Sequence, residues 1–170
     1  MKNKSGEHSA PAQVSDHPVL ELEHFVPYRL AVLAHLVSRS VARAYRDRFG
    51  LSVPEWRVMA SLGQGKAIYA NDLVETSNID KVQASRALTR LQSAGLIDRR
   101  VDETDRRRAL ISLTDKGWDV YRQIVPRALG YEAKLLEQLT EEEQACMDRV
   151  IGKMTAYLRG LEKDGAWEEE

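Results

Sequence analysis

The fold of this chain is decided by residues 72–113, which read DLVETSNIDKVQASRALTRLQSAGLIDRRVDETDRRRALISL. The pattern predicts two short helices, followed by a two-stranded hairpin with arginines at its tip. Asp80 is a good N-cap for the second helix, and Gln83 stands three residues later, so together they predict an aspartate version of the capping box. Gly95 can adopt the left-handed conformation that ends a helix, and we expect the second helix to stop there.

The second helix of this stretch has one apolar face and one polar face. Ala84, Ala87, Leu88 and Leu91 recur at helical spacing, and the other side chains point outward: Lys81, Val82, Gln83, Ser85, Arg86, Thr89 and Arg90. Arginine and glutamine pair with base edges, whereas serine, threonine and lysine hold phosphates. The outward polar residues are therefore candidate DNA contacts, with Gln83 and Arg86 as the base readers.

The hairpin supplies a second candidate site. Leu96–Val101 and Arg108–Leu113 are strand-like, and the residues between them are too charged to form core. The tip carries three consecutive arginines, Arg106, Arg107 and Arg108. Arginines are attracted by a narrow groove of negative potential, so we expect these to enter the DNA minor groove. Asp105 lies on the same side of an extended chain as Arg107 and is expected to brace its guanidinium.

The order of these elements resembles the MarR family of bacterial winged helix-turn-helix transcriptional regulators, over about residues 27–161. The family's wing motif falls on Asp105 and Arg107, and its motif after the wing falls on Leu113, Thr114 and Gly117. The resemblance implies a homodimer on a palindromic operator, most often a repressor, that leaves the DNA when a small molecule or an oxidant is sensed. The peroxide sensors of the family carry their reactive cysteine near the N-terminus, so Cys146 is expected to be inert.

Composition is consistent with a mainly α fold that carries a small β-wing. The chain has 170 residues, is 43% hydrophobic and 30% charged, and is long enough to bury one core. Its net charge is only −1, but residues 81–108 carry eight Lys or Arg against four Asp or Glu, a local charge of +4. A basic patch on an acidic body directs one face toward phosphate. The single cysteine argues against a disulfide framework and favours a cytoplasmic location.

The remaining sequence predicts how the domain is organised. Residues 1–18 are expected to be a disordered tail, residues 19–162 a single domain, and residues 163–170 an acidic tail. Within the domain, the winged helix-turn-helix spans about residues 52–113, and dimerisation helices span about residues 26–48 and 114–161. Capping boxes are predicted at Ser52 with Glu55 and at Thr140 with Glu143, and Thr114 is expected to cap the helix after the wing.

The terminal helices carry more apolar surface than a small DNA-binding unit can cover. We therefore expect them to interlock with those of a second subunit, which would place two recognition helices roughly 34 Å apart on successive major grooves. The alternative is that they pack only within one chain. A single recognition helix would then bind DNA weakly at physiological salt.

The sequence does not favour an enzyme. It contains no nucleophile paired with a base, no phosphate-cradling glycine loop and no metal-ligand spacing, so no cofactor or metal is expected. The spacing of His8, His17 and His24 is too irregular for a zinc site. A winged-helix module that binds protein or RNA without operator specificity is the alternative function. Exposed Gln83 and Arg86 argue against it, because such a module would not need them.

An effector class is suggested by a further resemblance. Residues 25–30 and 50–57 are similar to a branch of the MarR family associated with aromatic-acid catabolism. The resemblance implies an aromatic carboxylate, or its coenzyme A thioester, as the effector. Candidate effector contacts from the first two helices are Tyr28, His35, Arg39, Trp56 and Met59. For Trp56 and Met59 a core position is the alternative, and for His35 a structural hydrogen bond.

Overall fold

The computed structural model describes residues 18–102, 105 and 108–164. Its elements in chain order are α1 (Val26–Ala42), α2 (Arg46–Phe49), α3 (Val53–Leu62), β1 (Ile68–Tyr69), α4 (Ala70–Ser77), α5 (Lys81–Ser93), β2 (Ile97–Val101), β3 (Ala109–Leu113), α6 (Asp115–Leu136) and α7 (Glu141–Asp164). The mainly helical fold with a small β-wing is confirmed. The proposed disordered tail up to residue 17, the wing residues Arg106 and Arg107, and residues 165–170 of the acidic tail lie outside the described residues.

The chain divides between Leu36 and Val37 into two compact units. In the first unit, a turn precedes α1, with the backbone N–H of His24 donating to the carbonyl of Glu21 at 3.0 Å. The apolar side chains of this part of α1 are exposed, among them Leu33 at 53% and Leu36 at 55%.

The helix predicted to span about residues 26–48 is interrupted. It ends at Ala42, and the next residues form tight turns in which Ala44 N–H donates to Val41 O at 2.9 Å. Tyr45 is then 1% exposed, and its ring stacks on Trp56 with centroids 5.5 Å apart. Burial of this large ring offsets the helical hydrogen bonds that are lost. The short helix α2 follows, and Gly50 caps it in the left-handed conformation.

Local signals determined the helix starts. Ser52 and Glu55 form the predicted capping box, with Ser52 N–H donating to the Glu55 carboxylate at 2.6 Å. Thr140 and Glu143 form the other, with Thr140 N–H donating to Glu143 at 2.8 Å. Backbone donation from Thr140 lowers the pKa of Glu143 below its ordinary value.

The three strands form one antiparallel sheet in the order β1-β3-β2. Arg99 of β2 lies opposite Ile111 of β3, and Ile68 of β1 lies opposite the same residue on its other side. Strand β1 is absent from the sequence prediction, because two residues are too few to show the alternation that marks a strand. The sheet joins the segment before α4 to the base of the wing.

The core lies among α3, α4, α5, α6 and β3. Its largest side chains with 2% exposure or less are Tyr45, Val58, Met59, Leu62, Leu73, Leu91, Ile111 and Ile124. Helices α3, α4, α5 and α6 therefore each contribute at least one fully buried aliphatic residue. Such residues fix the orientation of α5, since a rotated helix would expose Leu91 and bury arginines.

The end of α5 is locked to the start of α6. Leu96 N–H donates to Leu91 O at 2.9 Å and Gly95 N–H to Gln92 O at 2.9 Å, the two bonds of a Schellman motif, with Gly95 at φ +69°. The Thr114 hydroxyl donates to Gly95 O at 2.7 Å, and Lys116 Nζ donates to Ala94 O at 2.7 Å. These bonds satisfy the carbonyls that every helix end leaves free.

A substitution at the α5–α6 junction tests how tightly it is packed. Gly117→Ala would place a Cβ against the backbone carbonyl of Leu96, so we expect a loss of about 1–3 kcal/mol in the free energy of unfolding. Gly130→Ala on the same helix is the control, because nothing lies within 4 Å of its Cβ. It should be neutral or stabilising by up to about 1 kcal/mol. Urea unfolding followed by circular dichroism measures both, and equal stability of the two variants would contradict the close contact.

Candidate nucleic-acid interface

The polar face of α5 is exposed as predicted. The exposed side chains are Lys81, Val82, Gln83, Ser85, Arg86, Thr89 and Arg90. On the opposite face, Ala84, Ala87 and Leu91 are at most 3% exposed. The burial pattern thus separates a face that holds the helix in place from a face that is accessible to a ligand.

The start of α5 differs in one bond from the predicted capping box. The Asp80 carboxylate accepts from Gln83 N–H at 2.8 Å, as expected for an N-cap. The Gln83 amide, however, donates to the Asp80 side chain instead of bonding the Asp80 backbone. In a capping box the Gln83 side-chain oxygen would accept from the Asp80 backbone N–H, whereas here Nε2 donates to the carboxylate in a charge-assisted bond. The backbone bond from Gln83 lowers the pKa of Asp80.

This bond restricts the orientation of the Gln83 side chain, which is a candidate DNA contact. A side-chain amide has two N–H donors and a carbonyl acceptor. Since Nε2 is held by Asp80, the orientation of the amide is fixed at the N-terminal end of the exposed face. Thr89 is also partly engaged, because its hydroxyl donates to Ser85 O at 3.0 Å.

A contact missed by the sequence prediction holds the turn between α4 and α5. Asn78 adopts the left-handed conformation, with φ 49°, and ends α4. Arg57 of α3 donates from Nη1 to the carbonyl of Asn78 at 2.8 Å. The two residues are separated by 21 positions, so no local pattern could have indicated this bond. It fixes the angle between the two helices of the helix-turn-helix.

A groove of about 540 Å³ lies between the start of α3 and the exposed face of α5. Its floor includes Glu55, which is 5% exposed and accepts from the Ser52 hydroxyl at 2.8 Å. Its other carboxylate oxygen lies 3.9 Å from Nη1 of Arg90. Arg86 lines the same groove. Glu55 thus both caps α3 and positions a cation of α5.

The base of the wing is anchored by a second cluster that the sequence prediction missed. The Tyr69 hydroxyl donates to Oδ2 of Asp102 at 2.7 Å. The Arg108 guanidinium lies 3.6 Å from the centroid of the Tyr69 ring. Donation to Asp102 raises the pKa of Tyr69.

Backbone bonds continue from this cluster toward the wing tip. Asp105 N–H donates to Oδ1 of Asp102 at 3.2 Å, and Arg108 N–H donates to Asp105 O at 2.9 Å. The predicted brace between Asp105 and Arg107 stays a prediction, because Arg107 lies outside the described residues.

The candidate effector residues lie in different environments. Tyr28 and His35 are exposed on the part of α1 that belongs to the first unit. In the second unit, Arg39 is exposed, and Trp56 is half-buried between the rings of Tyr45 and Tyr121. Met59 has no exposed surface and belongs to the core, as its alternative interpretation expected. An effector role for these residues stays a prediction.

In the described ranges 18–102, 105 and 108–164, no group of three or more His, Cys, Asp or Glu side chains is placed to hold a metal ion. Of the helices described, none combines the length and apolar character needed to cross a membrane. The interface formed by α5 and the base of the wing is therefore the candidate site with the best-defined geometry.

Known proteins share this arrangement. A family model described as MarR family matches residues 49–108. The HTH-type transcriptional regulator PecS of Dickeya dadantii (strain 3937) is 26% identical over 148 residues, which are 85% of this chain and 89% of PecS. The crystal structure of the MarR family transcriptional regulator SPO1453 from Silicibacter pomeroyi DSS-3 has a TM-score of 0.72 at 26% identity, and the match covers 82% of this chain and 99% of that one.

A third similar protein has a named small-molecule regulator. BpsR of Bordetella bronchiseptica, whose DNA binding is regulated by 6-hydroxynicotinic acid, has a TM-score of 0.72 at 21% identity. The match covers 81% of this chain and 98% of BpsR. At this identity the likeness establishes a common fold.

The cap of α5 predicts a pH dependence of stability. The folded-state pKa of Asp80 is lowered, so its contribution is complete above the ordinary value of 3.8 and is lost as the pH falls through the folded-state pKa. Asp80→Ala should therefore lower the melting temperature at neutral pH, and its difference from the wild type should shrink below about pH 4. Asp80→Asn is the control, since it keeps the cap acceptor without the charge. A constant difference between wild type and Asp80→Ala across the acid range would show that the charge is irrelevant.

Proposed function

We propose that this chain is a transcriptional regulator of the MarR family, and specifically a homodimeric repressor of a palindromic operator that is released by an aromatic carboxylate or its coenzyme A thioester. The observation that supports DNA recognition most directly is the exposed polar face of α5, which is held at both ends. Such a rigid face can meet base edges without losing much conformational entropy on binding.

Residue types divide the contacts on this face. Gln83 and Arg86 lie in the first two turns of α5, from which side chains reach the floor of the major groove. We assign base recognition to them. Lys81, Ser85, Thr89 and Arg90 suit phosphates, and Glu55 holds Arg90 beside the groove. The local charge of +4 over residues 81–108 draws this face to the duplex.

The wing supplies the minor-groove contact in this proposal. Arg106, Arg107 and Arg108 follow one another between β2 and β3, and we expect Asp105 to brace Arg107. The anchored wing base supports this assignment, because Arg108 is held against Tyr69. Arginine stacked on a ring still presents its N–H groups along the guanidinium edge, where a phosphate can accept them.

Exposed apolar side chains on two helices support a dimer. On α1, Val26 is 51% exposed and Leu33 53%. On α7, Ile151 is 54% exposed and Tyr157 67%. Side chains of this size recur at helical spacing on each helix, which is typical of a surface that packs against another subunit. A second copy with two-fold symmetry would also pair the recognition helices with the halves of a palindrome.

The effector assignment is supported by the chemical class of the compound that regulates BpsR. Its named regulator, 6-hydroxynicotinic acid, is an aromatic carboxylic acid. This chain has Trp56 in a run of stacked rings, and an exposed Arg39 with a guanidinium that can pair with a carboxylate. Tyr28 and His35 remain further candidates on α1. The cytoplasm is the expected location of a regulator that binds chromosomal DNA.

Base recognition is tested by selecting duplexes from a randomised pool with wild type and with Arg86→Ala. The variant should lose preference at one definable position, because a bidentate contact discriminates by about 1–3 kcal/mol. Ser85→Ala should weaken all duplexes about equally. Arg122→Ala on α6, an exposed arginine paired with Asp119 at 2.7 Å, is the matched control and should leave selection unchanged.

The selected duplex, together with a salt titration, separates operator binding from the alternative of a protein- or RNA-binding module. For wild type, affinity for the selected duplex should fall steeply and linearly on a log–log plot against salt. An identical consensus for wild type and Arg86→Ala would make Arg86 a phosphate contact. If no duplex is enriched at all, the protein is a protein- or RNA-binding module without operator specificity.

Effector release is tested with benzoates, hydroxycinnamates and their coenzyme A thioesters on the wild-type complex with its selected duplex. An active carboxylate should bind the free protein more tightly than the DNA-bound one, since coupling is reciprocal. Arg39→Ala should weaken release about tenfold, because it removes a charge-assisted bond. Arg43→Ala, an exposed neighbour, is the control. Absence of release by every compound, or equal release from Arg39→Ala and wild type, would refute the aromatic-effector assignment.

A further inference from the structure

We propose that Tyr69 is a positioning residue that holds both ends of the wing in the conformation that meets DNA. The inference rests on the proposed DNA binding and adds to it a residue outside the recognition helix and outside the wing tip.

Tyr69 contacts the chain where it leaves the sheet and again where it returns. Asp102 directly follows β2, and it accepts the Tyr69 hydroxyl at 2.7 Å. Arg108 directly precedes β3, and its guanidinium lies 3.6 Å from the centroid of the ring. One side chain therefore restrains the two ends of the wing by different interactions, a charge-assisted hydrogen bond and a cation–π contact.

The position of Tyr69 in the chain connects this restraint to the helix-turn-helix. It pairs with Leu110 across β1 and β3, and the next residue, Ala70, is the first of α4. Helix α4 is the first helix of the helix-turn-helix. Tyr69 thus ties the wing to the unit that carries the recognition helix, so that the two DNA-contacting elements keep a fixed relation.

The contacts of Tyr69 also restrain two charged groups at the base of the wing. Asp102 is a carboxylate at the base of an element that approaches phosphates, where an undirected negative charge would oppose binding. The Tyr69 hydroxyl holds Oδ2, and the backbone N–H of Asp105 bonds Oδ1 at 3.2 Å. The same tyrosine also contacts Arg108, because its ring lies under the Arg108 guanidinium. The cluster restrains the acidic group and orients the basic one.

Tyr69→Phe is the appropriate variant, because it removes the hydroxyl bond and keeps the ring under Arg108. Its effect is measured on the duplex selected by wild type, by fluorescence anisotropy at several salt concentrations. We expect affinity to fall about threefold to tenfold, because a less restrained wing must be ordered when it meets DNA. The melting temperature should fall only slightly, because one partly buried hydrogen bond within the folded chain is lost. Tyr131→Phe, a half-buried tyrosine of α6, is the control and should leave affinity unchanged.

A double-mutant cycle separates positioning from general structure. In a background that carries Arg106→Ala, Arg107→Ala and Arg108→Ala, no wing arginine remains for Tyr69 to position, so Tyr69→Phe should change affinity by less than about twofold. Hydroxyl-radical footprints should show reduced minor-groove protection by Tyr69→Phe, with protection by the recognition helix retained. Neither readout would respond to a merely structural role.

The outcomes are distinct. If wild type selects a duplex and Tyr69→Phe binds it with unchanged affinity, the positioning role is wrong while operator binding stands. An equal loss in the wild-type and wing-variant backgrounds would show that Tyr69 acts independently of the wing and would also overturn the inference. If wild type selects no duplex, the proposed function and this inference both fail.

Discussion

The carbonyl oxygens at the end of α5 are the constraint on which the rest of the structure depends. A helix leaves its last carbonyls without partners, and here Lys116 of α6 supplies a donor for Ala94. Thr114, the N-cap of α6, supplies donors for Gly95 and Leu96, which follow the helix. Because Gly117 has no side chain, α6 can begin directly against Leu96. The recognition helix is therefore attached to the start of α6. Because residues 94–96 are held by these bonds, the direction in which strand β2 begins is fixed as well.

On the opposite face of α5, the proposed DNA binding requires features that reduce the stability of the fold. A face that includes Arg86 and Arg90 must stay exposed, so it contributes no burial, and its charges repel one another. The structure offsets this at the helix ends and on the apolar face, where Leu91 is 1% exposed. Glu55 reduces the repulsion further, since a nearly buried carboxylate lies 3.9 Å from Arg90 without covering it. Rigidity is thus provided by contacts that leave the proposed DNA-binding face of α5 exposed.

What the sequence could predict was limited by the range of each interaction. Caps such as Ser52 with Glu55 depend on residues three positions apart, so their pattern is visible in the sequence and both boxes predicted at helix starts outside α5 are observed. The bond from Tyr69 to Asp102 joins residues 33 positions apart and has no sequence pattern. The interruption after Ala42 was missed for a related reason. Helical spacing continues through that segment, whereas the burial of Tyr45 depends on residues distant in sequence, such as Trp56, on which its ring stacks.

The aromatic residues suggest how an effector near Trp56 would influence the DNA-binding face. Trp56 of α3 stacks on Tyr121 of α6 with centroids 5.9 Å apart, and Trp118 meets Tyr121 edge-on at 5.5 Å. Tyr121 also lies directly against the position of Gly63 at the end of α3, so the ring has little room to move on its own. A ligand that displaced Trp56 would therefore shift α3 and α6 relative to each other. Since α6 holds the end of α5 and Arg57 of α3 holds the turn before it, the same shift would reach both ends of the recognition helix. An effector could then favour release only to the extent that it binds the displaced arrangement more tightly than the DNA-bound one.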